Sequence, residues 1–173
     1  MSGFMGGFPG MESGEFSPGL ARLIREHSSL REKLASLFAL IEKIENDIDV
    51  EQTFASLKTG VVTFKAELDP HSEREERVLF PMLGQYIGTT SGPIAVMEYE
   101  HEQAKTFIKT FLEGAETEQV SSEIIKNLAE LVQNAHNILT EHFTKEENVL
   151  FTMAERMLSE EEKVELYQRI QEI

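Results

Sequence analysis

From residue 17 onward, apolar side chains recur every three or four positions, the spacing of one face of an α-helix; β-branched alternation is absent. Helix A is expected to start at Ser17, with its hydroxyl as N-cap and Pro18 at the first helical position. Its stripe runs through Leu20, Ile24, His27, Leu30, Leu34, Phe38, Ile41 and Ile48. Helix B follows Asp49, where Asp49 and Gln52 form a capping-box pattern. Its stripe is Phe54, Leu57, Val61, Phe64, Leu68, His71, Glu75, Val78 and Met82. Pro70 should kink or break it, and Pro81 and Gly84 should end or bend it again. A turn-rich loop, Gly88 to Gly92, leads to helix C near Ser91 and Pro93, with Met97, His101, Ala104, Ile108 and Phe111 on its apolar face. Helix D is expected from about Thr117 to about Met157, through Leu128, Leu131, Ala135, Ile138, His142, Glu146, Val149 and Met153. Ser159 and Glu162 cap a short fifth helix. Four long amphipathic helices with short connections predict an all-α, up-down-up-down four-helix bundle over residues 17–173, preceded by a flexible tail over 1–16. Phe4, Phe8 and Phe16 of the tail are candidates to dock on the bundle.

The exceptions to the stripes carry the information. One histidine interrupts each stripe: His27, His71, His101 and His142. In helices B and D a glutamate, Glu75 or Glu146, follows four residues later and so shares the histidine's face. These pairs lie within a repeated decapeptide. The segments HSEREERVLF at 71–80 and HFTKEENVLF at 142–151 share the pattern H-x-x-[RK]-E-E-x-V-L-F. Glu26-His27 likewise resembles Glu100-His101. Two similar helical hairpins packed together would gather all of these residues at one core.

Composition narrows the chemistry. The 173 residues fit one domain. A net charge of −15 repels phosphate backbones and argues against nucleic-acid binding. With no cysteine there is no disulfide, zinc thiolate or cysteine nucleophile. No apolar run is long enough for a membrane span, and the expected location is cytoplasmic.

Four imidazoles and two carboxylates buried without partners would be strongly unfavourable. A hydrogen-bonded core network is the plain alternative, and a single buried histidine is usually just that. Four histidines on four helices, with the His-Glu pair repeated, point instead to a pair of metal ions with positions left open for small ligands. Ferritin-like carboxylate centres fit less well, since only Glu98-x-x-His101 matches their E-x-x-H element. His136 lies about 120° around the helix from His142 and reads as peripheral. Glu26, Glu76, Glu100 and Glu147 read as surface residues or as carboxylates that orient the ligand imidazoles. Tyr86 and Tyr99 are possible further donors.

With His27, His71-x-x-x-Glu75, His101 and His142-x-x-x-Glu146 in place, residues 17 to 157 resemble the hemerythrin-like, HHE cation-binding family. The resemblance implies two non-haem iron ions with an oxo or hydroxo bridge. Glu75 and Glu146 would bridge them, His27 and His71 would serve one iron, and His101 and His142 the other. The oxygen-carrying members have a second histidine one turn after the helix C ligand, where this chain has Lys105, and His-x-x-x-x-Asp on helix D, where this chain has His-x-x-x-Glu. The present set is more similar to di-iron proteins that repair iron centres under nitric-oxide stress, which usually carry a cysteine-bearing N-terminal domain, and to an iron-sensing domain of a ubiquitin ligase. The main expectation is therefore a protein that binds or senses O2, NO or iron. The alternative is an enzyme or iron donor in nitrosative or oxidative stress. No general acid or base stands out beside the ligands, so the sequence leaves open whether the chain is an enzyme. A third reading makes the metal a structural staple.

Overall fold

A computed structural model of the chain describes residues 15–117 and 121–173. The positions of Phe4 and Phe8 lie outside the described residues. Helix α1 spans Pro18–Glu45. Its first residues are tied by Ser17, whose N–H and hydroxyl both donate to Glu155 Oε1, at 2.8 and 3.0 Å. Ile48 falls beyond the end of α1 and is exposed, so the predicted stripe stops at Ile41 and Ile44. The short turn to the next helix places Asp47 and Asp49 in the left-handed region, at φ 58° and 43°; aspartate tolerates that conformation better than most residues.

Helix α2 spans Val50–Arg74. Pro70 denies the helix the bond its N–H would give to Ala66, yet helical backbone continues through it to Arg74. The interruption comes later and is of another kind. Glu75–Leu79 form a π-helical turn, closed by the Phe80 N–H donating to the Glu75 carbonyl. Helix α3, Phe80–Ile87, resumes the α register with Pro81 in its first turn. Gly88 and Gly92, at φ 83° and 80°, bound the loop that follows.

Helix α4 is Pro93–Ala115. Helix α5 is Ser122–Lys145, starting five residues after the predicted Thr117, with the Ser121 hydroxyl accepting from the Ile124 N–H. A second π turn, Glu146–Leu150, joins α5 to α6, Phe151–Met157. Helix α7, Glu160–Ile170, begins at the predicted capping box: Ser159 Oγ accepts from Glu162 N–H and Glu162 Oε1 from Ser159 N–H. All four predicted helical runs and the fifth helix are present.

The predicted stripe of the fourth run drifts. Leu131 and Ile138 are only half-buried, and Val132, Leu139 and Phe143 are the buried neighbours. Val149 is 48% exposed, because the π turn adds a residue and moves it off the core face. Its counterpart Val78 is buried, because α7 packs on the first π turn.

By internal packing the chain divides into two units, each of which takes a section of every long helical run. One comprises the described residues up to Ser28 with Asp69–Tyr99 and Glu141–Ile173. Its core joins Phe16, Leu20 and Leu23 to Leu79, Phe80 and Leu83, to Leu150 and Phe151, and to Leu166 and Ile170 of α7. Phe16 thus docks as expected. Gly19 admits α7 closely: a Cβ there would sit 3.0 Å from Leu166 Cγ. The other unit comprises Ser29–Leu68 and Glu100–Thr140. Phe54 meets Phe111 edge-on there, and Lys33 pairs with Glu67 at 2.7 Å. Among the described residues no helix is long and apolar enough to cross a membrane.

Candidate metal centre

The site is built where the two π turns begin. Glu75 and Glu146 are the first residues of those turns, each one helical turn after its histidine. His27, His71, Glu75, His142 and Glu146 belong to the first unit, and all are fully buried. Ligand atoms of His27, His71, Glu75 and Glu146 all lie within 4.8 Å of one another, and so do those of Glu75, His142 and Glu146. Glu146 faces two histidines at once, with Oε1 3.0 Å from His27 Nε2 and Oε2 3.2 Å from His142 Nε2. Glu75 Oε2 lies 3.2 Å from His71 Nε2 and 3.8 Å from His27 Nε2. His101, the remaining predicted ligand, is buried on α4 and belongs to the second unit.

Outside this ring of contacts, carboxylates hold the imidazoles by their other nitrogen. His27 Nδ1 is 2.7 Å from Glu147 Oε2, and His71 Nδ1 is 2.8 Å from Glu26 Oε1. An ionised carboxylate only accepts, so each Nδ1 donates and each Nε2 is the nitrogen turned inward. His27 is also stacked by Phe143 and Phe151, with centroids 4.4 and 5.5 Å away. Two of the four flanking glutamates thereby acquire a role that spacing left open. His136 is peripheral, its ring against Phe38 in the second unit. Tyr86 donates to Glu162 on α7 at 2.6 Å, and Tyr99 is 64% exposed.

The electrostatics show what the site lacks. Burial pushes the His27 pKa down, but Glu146, Glu147 and Glu75 outweigh it and hold the ring well above its ordinary value. His71 is shifted upward too, since Glu75 and Glu26 together overcome its burial and the repulsion of His27. Even so, His27 Nε2, His71 Nε2, His142 Nε2 and both oxygens of Glu75 and Glu146 are buried with no hydrogen-bond partner. At about 1–3 kcal/mol for each unsatisfied group, more when charged, such a cluster rivals the whole stability of a domain, about 5–15 kcal/mol. Inward-facing imidazole nitrogens and carboxylate oxygens are, once the rings give up their inner protons, the donor set of a metal cation, and these residues fit one.

Comparison with known proteins agrees. Residues 18–154 match the family model of the hemerythrin HHE cation-binding domain. The chain belongs to that family. Its fold is all-α, as the apolar pattern predicts, and hemerythrin-like, as the resemblance implies. Relatives of this hemerythrin-family chain include the iron–sulfur cluster repair proteins YtfE of Pectobacterium carotovorum subsp. carotovorum (strain PC1), 32% identical over 140 residues, and of Pectobacterium atrosepticum, 31% identical over 140 residues. The YtfE protein of Escherichia coli O1:K1 is 29% identical over 137 residues. Each match covers 76% of this chain and 62% of the relative, so the chain spans under two thirds of the length of these curated proteins.

Sequence reasoning missed the π turns, the contacts of Arg22 and Arg74 to Glu26, and the Phe stacking on His27. The repeat did hold a signal. The same ten-residue pattern recurs, each copy ending in the phenylalanine whose N–H closes a π turn.

Proposed function

We propose that this protein holds two non-haem iron ions and serves the repair of damaged iron–sulfur clusters. The observation that carries the metal centre is the convergence of buried donor atoms: those of His27, His71, Glu75 and Glu146 lie within 4.8 Å of one another, and so do those of Glu75, His142 and Glu146. Glu75 and Glu146 are the bridging carboxylates in this reading. Glu146 supports it by turning one oxygen to each of two histidines. His27 and His71 serve one ion, and His142 and His101 the other. Bound iron supplies redox chemistry and open coordination positions for a small ligand such as NO or O2. The chain's own residues orient the imidazoles, keep water away, and hold negative charge at the carboxylates.

The repair role rests on the relatives, which carry that function in their names. They favour repair over a binding or sensing role for O2, NO or iron. The test is to load the metal-free protein anaerobically with ferrous iron, count iron per chain, and then mix it with a protein whose iron–sulfur cluster NO has damaged. Two irons per chain and recovery of the cluster beyond an equal amount of free ferrous iron are expected. No iron uptake would refute the centre. Uptake with recovery no better than free iron would refute repair and return the chain to sensing.

A further inference from the structure

One carboxylate outside the donor set is gripped from three sides. Glu26 Oε2 accepts from Arg22 Nε at 3.0 Å and from Arg74 NH1 at 2.9 Å, and its Oε1 accepts from His71 Nδ1 at 2.8 Å. Arg22 and Glu26 stand one turn apart on α1, and His71 and Arg74 stand one turn apart on α2. Arg74 is only 13% exposed, and it is drawn in although its Nε is buried without an acceptor. An ordinary surface ion pair does not leave a guanidinium N–H stranded in this way. The second repeat differs: Val96 stands four residues before Glu100, where Arg22 precedes Glu26, and Lys145 stands three after His142, where Arg74 follows His71. The double guanidinium grip therefore belongs to the first repeat and is not a general feature of the motif.

We infer that Glu26, held by Arg22 and Arg74, is the positioning residue that aims His71 Nε2 into the metal centre. Two guanidinium bonds to one oxygen fix the carboxylate plane, and the other oxygen then dictates which nitrogen of His71 carries the proton and where the ring points. Glu26 bonded only to His71 could turn about its own side chain, and the ring with it. The inference rests on the proposed metal centre.

The test uses the full chain and cobalt(II), whose visible absorption reports the number and kind of its ligands. Glu26→Gln keeps the shape of the side chain but removes its charge, and should weaken cobalt binding by about 10–100-fold, the usual cost of losing a carboxylate behind a ligand imidazole. Arg22→Val with Arg74→Lys copies the second repeat, so it should fold, and it should shift affinity and the cobalt spectrum in the same direction. Nitrogen-15 NMR of the metal-free protein, at a pH high enough to leave the ring neutral, should show His71 in the Nδ1–H form alone in the wild type and as a mixture of neutral forms in both variants. A role confined to packing would leave that NMR signature and the cobalt spectrum unchanged. Wild-type affinity, spectrum and tautomer in the double variant would overturn the inference, whether or not Glu26→Gln folds. If the wild type binds no cobalt, the metal centre fails instead, and the NMR comparison still decides the part played by Glu26.

Discussion

Glu146 shows how one side chain can be costly and necessary together. Both of its oxygens are buried without a hydrogen-bond partner, and each faces a different imidazole. Replacing it with alanine removes a donor from both proposed ions. The Glu146→Ala protein is expected to stay helical and to retain less than one iron per chain where the wild type retains two, as iron analysis after desalting would show. Individual residues were the most legible level of the sequence. His27, His71, Glu75, His142 and Glu146 stood out because each is a polar group on an apolar stripe, and burial makes that exception expensive. Glu26 and Glu147 were less legible. Each reaches a histidine on a different helix, a pairing that spacing along one helix does not encode.

At the scale of elements, helix existence followed from periodicity, but the π turns did not. A window tuned to 3.6 residues per turn absorbs one extra residue without trace, so the apolar pattern puts Val149 on the core face, where the structure leaves it exposed. Deleting Arg77, an exposed residue of the first π turn, should restore a continuous α-register while leaving the helix content unchanged. Glu75 would then lose its turn, and cobalt affinity should fall by about tenfold or more. Helix α7 offers a second test. The Tyr86 hydroxyl and the Ser159 N–H hold the Glu162 pKa below its ordinary value. A group lowered in the folded state contributes stability above its unfolded pKa and loses it as pH falls through the folded value. Protection factors of the α7 amides, taken relative to the intrinsic exchange rate at each pH, should therefore fall as pH drops below the ordinary carboxylate range, and Tyr86→Phe should flatten that dependence. Hydrogen exchange followed by mass spectrometry checks both.

At the scale of the whole molecule, binding and stability are linked. A cation that binds only the folded chain stabilises it by about 2.7 kcal/mol at a hundredfold excess over its Kd. For a chain of this size that corresponds to roughly 5–11 °C in Tm. Calorimetry with and without a chelator should show a rise of this order on loading, and equal melting temperatures would mean that nothing binds. The same scale gives the duplicated decapeptide its meaning. A dimer of one repeated hairpin must carry each residue twice, so any change strikes both halves at once. Joined in a single chain, the two copies are free to drift apart. Here one valine lies under α7 and its twin meets solvent, and one carboxylate is gripped by two arginines while the matching positions in the other copy hold valine and lysine. Carrying the motif twice in one chain thus lets each copy be specialised by its own mutations.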